Sequence, residues 1–167
     1  MTTRENLLGT AGATFSECWH YRYLLWRKWG DGPFCNFIML NPSTADESVN
    51  DPTVERCERR ARQWGFAGVY VTNLFALRST DPSGLRIHPE PTGQPENGIV
   101  ILDTAKRSGL VICAWGNHGS YRGRDAEVKR LLRLAGIKLH ALQIGKTGQP
   151  SHPLYIPYSQ QPQEWRV

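Results

Sequence analysis

The sequence predicts an α/β fold: one domain over residues 1–167, built as a three-layer α/β/α sandwich around a central, mostly parallel four-stranded sheet, with an aromatic N-terminal hairpin or edge strand. Three observations carry the prediction. Apolar, strand-like runs alternate with helical patterns along the chain, as in folds with a parallel sheet. The helical patterns start and stop on capping signals. The strand-like runs end in, or lead into, polar clusters, and in an open α/β sheet the carboxyl ends of parallel strands form one rim where ligands bind.

The elements follow in order. Phe15, Trp19, Tyr21, Tyr23, Trp26 and Trp29 make the N-terminal part aromatic, and Tyr21–Arg27 partly alternates apolar with basic residues, so an edge strand or antiparallel hairpin is expected. Gly30-Asp31-Gly32-Pro33 is a turn. Phe34–Leu40 is nearly all apolar, the pattern of a strand buried on both faces. Asp51 as N-cap and Pro52 at the first helical position open a helix with Val54, Cys57, Ala61 and Trp64 on one stripe, Arg56, Arg59, Arg60 and Arg62 largely off it, and Gly65 as its stop. Gly68–Leu74 is the second strand, followed by a proline-rich loop. Pro95-Glu96-Asn97 opens a second helix with Ile99, Leu102 and Ala105 inward. Leu110–Trp115 is the third strand. Arg124–Ala135 is a helix with Val128, Leu131, Leu132 and Ala135 on its apolar stripe, closed by Gly136, and Lys138–Gln143 is the fourth strand. The tail after Pro157 reads as a terminal extension.

Composition bounds the function. At 167 residues, 40% hydrophobic and 21% charged, the chain has the make-up of a soluble globular domain and can bury a core without metals or disulfides. No apolar run is long enough to span a bilayer, and Met1–Asn6 lacks the layout of a signal peptide, so a cytoplasmic protein with no membrane partner is expected. The net charge of +5 permits attraction to a polyanion without establishing it. Cys18, Cys35, Cys57 and Cys113 have no metal-knuckle or Cys-x-x-Cys spacing, so neither a metal nor a cofactor is expected.

The polar clusters supply the candidate site. Asn41-Pro42-Ser43-Thr44 follows the first buried run; Pro42 forces Asn41 out of the helical region, which ends the strand and leaves an amide at the rim. Asn73 ends the second strand among apolar neighbours, either as a satisfied core amide or as a reader of a base edge. Arg78 follows closely and lines or braces the same rim. Trp115 ends the third strand, with His118 just beyond as a competing histidine. Arg122 and Arg124 either meet a phosphate backbone or simply begin a helix. His152 sits in a loop shaped by two glycines and two prolines, where an imidazole can donate to a developing negative charge or serve as acid or base. Gly145-Lys146-Thr147 resembles the end of a phosphate-binding loop, but the first glycine of that motif would fall on His140 and no helix clearly follows.

Taken together, Met39–Asp46, Asn50–Thr53, Thr72–Ser79, Pro95–Asn97, Ala114–Gly116, and Gly145–Thr147 through His152–Tyr155 closely resemble a family of bacterial and phage proteins known as a domain of unknown function. More distantly, the order of motifs is similar to the uracil-DNA glycosylase superfamily: Leu40-Asn41-Pro42-Ser43 resembles its first strand-end turn, Thr72-Asn73-Leu74 to Arg78 its second, Ala114-Trp115-Gly116 its third, and His152-Pro153-Leu154 its closing loop. Ser43 departs from that pattern, standing where a glycine is common. The resemblance implies Asn41 and His152 as catalytic residues. It implies Pro42, Ser43, Thr44, Asn73, Arg78, Trp115, His118, Leu154 and Tyr155 as substrate contacts, with Leu154 or Tyr155 as the wedge that enters a duplex. The activity it implies is an N-glycosidase acting on a damaged, mismatched or modified base in nucleic acid, DNA ahead of RNA, by a monomer. The alternatives are a non-catalytic module that holds nucleic acid or a modified nucleotide, and a hydrolase of free nucleosides or nucleotides.

Overall fold

The computed structural model describes residues 1–167 as an α/β fold with one mixed, eight-stranded sheet and four α-helices. The strands are β1 (Thr2–Glu5), β2 (Ala11–Phe15), β3 (Arg22–Lys28), β4 (Phe34–Met39), β5 (Gly68–Asn73), β6 (Leu110–Cys113), β7 (His140–Ala141) and β8 (Gln163–Glu164). The helices are α1 (Pro52–Gln63), α2 (Gly84–Ile87), α3 (Glu96–Lys106) and α4 (Arg124–Leu134). The order across the sheet is β1-β2-β3-β5-β4-β6-β7-β8. β5, β4, β6 and β7 are mutually parallel, and antiparallel strands extend them at both ends.

The four expected strands are thus the parallel centre of the sheet, and the expected four-stranded sheet is corrected to eight. Tyr21–Arg27 forms most of β3, which pairs antiparallel with the preceding β2 in the expected hairpin; the edge alternative is corrected, because β5 lies on the other side of β3. The true edge is β1, whose Thr-Thr-Arg-Glu side chains are all exposed, which suits a strand that must not recruit another chain. β2 could be built from small residues because Trp26 lies over Gly12, where a Cβ would come within 2.4 Å of the indole. The fourth strand is shorter than expected, reduced to His140–Ala141, and the C-terminal tail returns to pair with it as β8.

Helices cover both faces of the sheet. On one face α1 packs Val54, Cys57 and Ala61 on Cys35, Phe37, Val69, Val71 and Ile112. On the other, Ile101 and Ala105 of α3 and Val128 and Leu132 of α4 pack on Ile38, Val111 and Cys113. Burying a Phe, Leu or Ile side chain of this kind stabilises by about 1.5–3 kcal/mol, so these two apolar layers hold the strand ends in place. Burial also pushes the thiols of Cys35, Cys57 and Cys113 up, which leaves them as inert core groups. No helix is long and apolar enough to cross a membrane.

Asp51 caps α1 as expected, its carboxylate accepting from Val54 N–H at 2.8 Å with Pro52 in the first turn. Two stripe assignments are corrected. Ile99 is 56% exposed, and Ile101, Thr104 and Ala105 point inward with Asn97. The reason is Asn97, whose buried Nδ2 donates to Asn73 O, Leu74 O and Thr92 O and so sets the phase of α3. Ala135 is exposed at the C-cap of α4. Asn97→Ala is expected to destabilise the fold by about 2 kcal/mol, because buried carbonyls at the end of β5 lose their donor; urea unfolding of the variant measures it.

Candidate active site

The chain runs from β4 outward to β5 and then crosses back to β6 on the other side of β4. The direction of winding therefore reverses between β4 and β6, and a crevice opens at their carboxyl ends, the position where open α/β sheets bind ligands. A cleft of about 730 Å³ lies there, a volume within the range of small-molecule sites. It is bounded by the segments after β4 and β5, the start of α1, the segment after β6, and the loop that carries His152.

Of the expected site residues, Asn41, Pro42, Ser43, Thr44, Asn73, Trp115, His118, His152, Leu154 and Tyr155 all line this cleft. Arg78 does not. Its guanidinium lies over the Phe15 ring and donates to Trp19 O, in a neighbouring hollow that meets the cleft at Ser79. Trp115 contributes to the wall, but its indole is buried, sits 5.8 Å from Trp165, and donates to Gln149 Oε1 at 2.8 Å, so it anchors the last loop and offers no free stacking face. Tyr155 is 90% exposed at the mouth. His118 is exposed, while His152 is partly buried.

The hydrogen bonds already made decide which polar atoms remain free. Asn41 Nδ2 donates to Ser79 O at 2.8 Å and Pro42 O at 3.1 Å, while Ser79 N–H donates back to Pro42 O at 2.9 Å. This lacing leaves Asn41 Oδ1 as a free acceptor. The Nδ1 of His152 accepts from Leu154 N–H at 3.1 Å, so the neutral ring carries its proton on Nε2, which has no protein partner. Burial holds this imidazole below its ordinary value, with the Asp51 charge acting in the opposite sense, so the ring is neutral at pH 7. Asn73 is buried, with Oδ1 accepting from Arg22 Nη2 at 3.4 Å; its Nδ2 makes no protein hydrogen bond. Among Asn41, Asn73 and His152, the cleft therefore presents one fixed acceptor, Asn41 Oδ1, and two sets of donors, from Asn73 and His152.

Arg22 was invisible as a site residue in the sequence. It is 2% exposed at the cleft, donates from Nη1 to Ala45 O at 3.0 Å, and leaves Nε without a protein partner. Burial pushes it down to about 10, with Asp51 and Asp46 opposing that shift and Arg78 and Arg27 adding to it, so it remains charged at pH 7. Three further buried arginines act alike. Arg27 donates to Asp46 O, Arg60 to Ile156 O and Pro157 O, and Arg124 to Leu74 O. Each guanidinium satisfies carbonyls of a rim segment that has no ladder to join. Arg60, expected largely off the apolar stripe of α1, is thus fully buried, and Arg124 begins its helix with its guanidinium turned inward. The only signal for Arg22 was its place within the apolar run Tyr21–Trp26.

The other unforeseen groups are mostly hydroxyls: Thr53, Ser79, Thr80 and Ser151 join Ser43 and Thr44 on the walls. After β6 the chain turns at Gly116, with φ +75, and its N–H donates to Pro150 O at 2.8 Å, which ties the third strand end to the last loop. Gly145-Lys146-Thr147 forms part of a turn with no helix after it, so the phosphate-loop likeness stays rejected.

Fold and site together define an α/β protein with a hydrogen-bonding cleft at the switch point of its sheet. The chain belongs to the family described as "Protein of unknown function (DUF1643)", whose model matches residues 22–154. The match opens on Arg22 and closes on Leu154, so it spans all of the cleft but its last two residues, Tyr155 and Ile156. No curated protein and no solved structure matches the chain.

Proposed function

We propose that the protein is a nucleobase N-glycosidase with a uracil-DNA glycosylase-like α/β/α core, acting on a damaged, mismatched or modified base in nucleic acid, with DNA ahead of RNA. One observation carries the reading: Asn41 Oδ1, Asn73 Nδ2 and His152 Nε2–H are the unspent polar functions of three strand-end segments, and all three residues line one cleft. Breaking a glycosidic bond builds positive charge on the sugar and negative charge on the base. Asn41 Oδ1 would orient the attacking water, the neutral His152 would donate to the departing base, and Asn73 would donate to an acceptor on the base edge. A duplex substrate would have to flip its base out, at a cost of a few kcal/mol that is least at damaged or mismatched pairs. Leu154, half-buried, and Tyr155, exposed at the mouth, are the side chains available as a wedge.

The test is base release. Oligonucleotides carrying uracil, mismatches, deaminated purines or hypermodified pyrimidines are incubated with the protein and weighed by mass spectrometry. An abasic product is expected, together with DNA affinity that falls steeply as salt rises. Intact oligonucleotides and salt-insensitive capture of a free nucleoside would replace the glycosidase with a binding module.

A further inference from the structure

Orienting a water is half of hydrolysis; its proton must also go somewhere, and an amide such as Asn41 cannot take it. We propose that Asp51 is the general base of the cleft, an inference that rests on the glycosidase reading. Asp51 is the single carboxylate among the residues that line the cleft. One of its oxygens is committed: Oδ1 accepts from Val54 N–H at 2.8 Å and caps α1. The other, Oδ2, has no protein donor, and no salt bridge engages the carboxylate. The cap thus fixes the side chain while leaving one oxygen available.

The segment between Asn41 and Asp51 is pinned from β3, where Arg22 holds Ala45 O and Arg27 holds Asp46 O and the Asn50 side chain. The groups that feel the Asp51 charge are Arg22 and Arg27 from β3, Cys57 from α1, and His152 from the last loop. Two of these, Arg22 and Arg27, are cations.

A water held by Asn41 Oδ1 and Asp51 Oδ2 bonds through its oxygen to the anomeric carbon of the sugar. The carbon–nitrogen bond breaks, and its electron pair leaves on the base, where His152 Nε2–H stabilises it. One water proton passes to Asp51 Oδ2 and from there to solvent or the departed base, which regenerates the carboxylate.

Asp51→Asn tests this without removing the cap, since Asn caps helices as well as Asp does. General-base loss typically slows the chemical step by about 10²–10⁴-fold, so kcat for base release is expected to fall by that factor while KM and Tm stay near wild type. Asp51→Glu, which keeps a carboxylate, is expected to recover part of kcat. An unchanged kcat in Asp51→Asn, or a loss carried by KM or Tm instead, overturns the assignment. Wild-type protein that releases no base overturns the glycosidase reading and Asp51's role with it. Active wild type, inactive His152→Ala and fully active Asp51→Asn overturn Asp51's role alone.

Discussion

His152→Ala is expected to slow base release by about 10²–10³-fold, the cost of losing one preorganised donor to a developing anion, about 3–4 kcal/mol. The donor is preorganised because Leu154 N–H occupies Nδ1 and leaves Nε2–H for the cleft. The same bond predicts a modest structural cost of about 1 kcal/mol, far below the catalytic effect. Acid should act like the mutation. Protonation puts a hydrogen on Nδ1, which then faces the Leu154 N–H, so base release should be steady above the ordinary value of 6.5 and fall as pH drops through the lowered value of the folded protein. Stability has the same sign. The folded ring binds its proton less readily than the unfolded one, so the contribution of His152 is complete above 6.5 and is lost as pH falls through the folded value. Release rates and urea midpoints measured across this range, on wild type and His152→Ala, check both. An alanine variant that keeps the wild-type rate removes His152 from the mechanism.

The parts of the molecule legible in the sequence are those whose cause is local. β4, β5 and β6 announce themselves as apolar runs because both their faces are covered by helices. α1 is marked by Asp51-Pro52 and Gly65, since capping and termination are settled by a few adjacent residues. Asn41 and Asn73 could be singled out because a polar residue at the end of an apolar run has nowhere to go but the rim, and His152 because two glycines and two prolines shape the loop that carries it. What escaped depends on distant partners. β2 lacks bulk because a tryptophan from β3 supplies it, and β8 exists only because the tail folds back on β7. Arg22, Arg27, Arg60 and Arg124 look in sequence like solvated charges, yet each donates to loop carbonyls whose position only the fold determines.

The burial of these arginines changes the meaning of the charge. The chain has 20 lysines and arginines, and four of the arginines are buried, so the net +5 is partly an internal scaffold and not wholly a surface field. A basic composition therefore weighs less toward a polyanionic partner here than it would with every arginine at the surface.

Asn73→Asp is expected to separate stability from recognition. Arg22 is a buried cation with no carboxylate within ion-pair distance, and its contact to Asn73 Oδ1 is long at 3.4 Å. An aspartate at position 73 would give that guanidinium a counter-charge without changing side-chain volume, so Tm should equal or exceed wild type and the Arg22 value should rise from about 10. Recognition should move the other way. In the wild type the arginine claims Oδ1, which leaves the Nδ2 donors unspent, so under the proposed function a base read here would carry an acceptor such as a ring carbonyl. The variant replaces those donors with an acceptor. One lost hydrogen bond and a carboxylate oxygen set against a carbonyl should cost about 3 kcal/mol, or roughly 10²-fold in kcat/KM for a keto base. A base presenting an amino group at that edge should lose less, and the ratio between the two bases should invert relative to wild type. If kcat/KM for a keto base survives in a folded Asn73→Asp protein, the base is not read at this position. A loss that accompanies a lower Tm would instead show that Arg22 and Asn73 are coupled as structure and not as a reader.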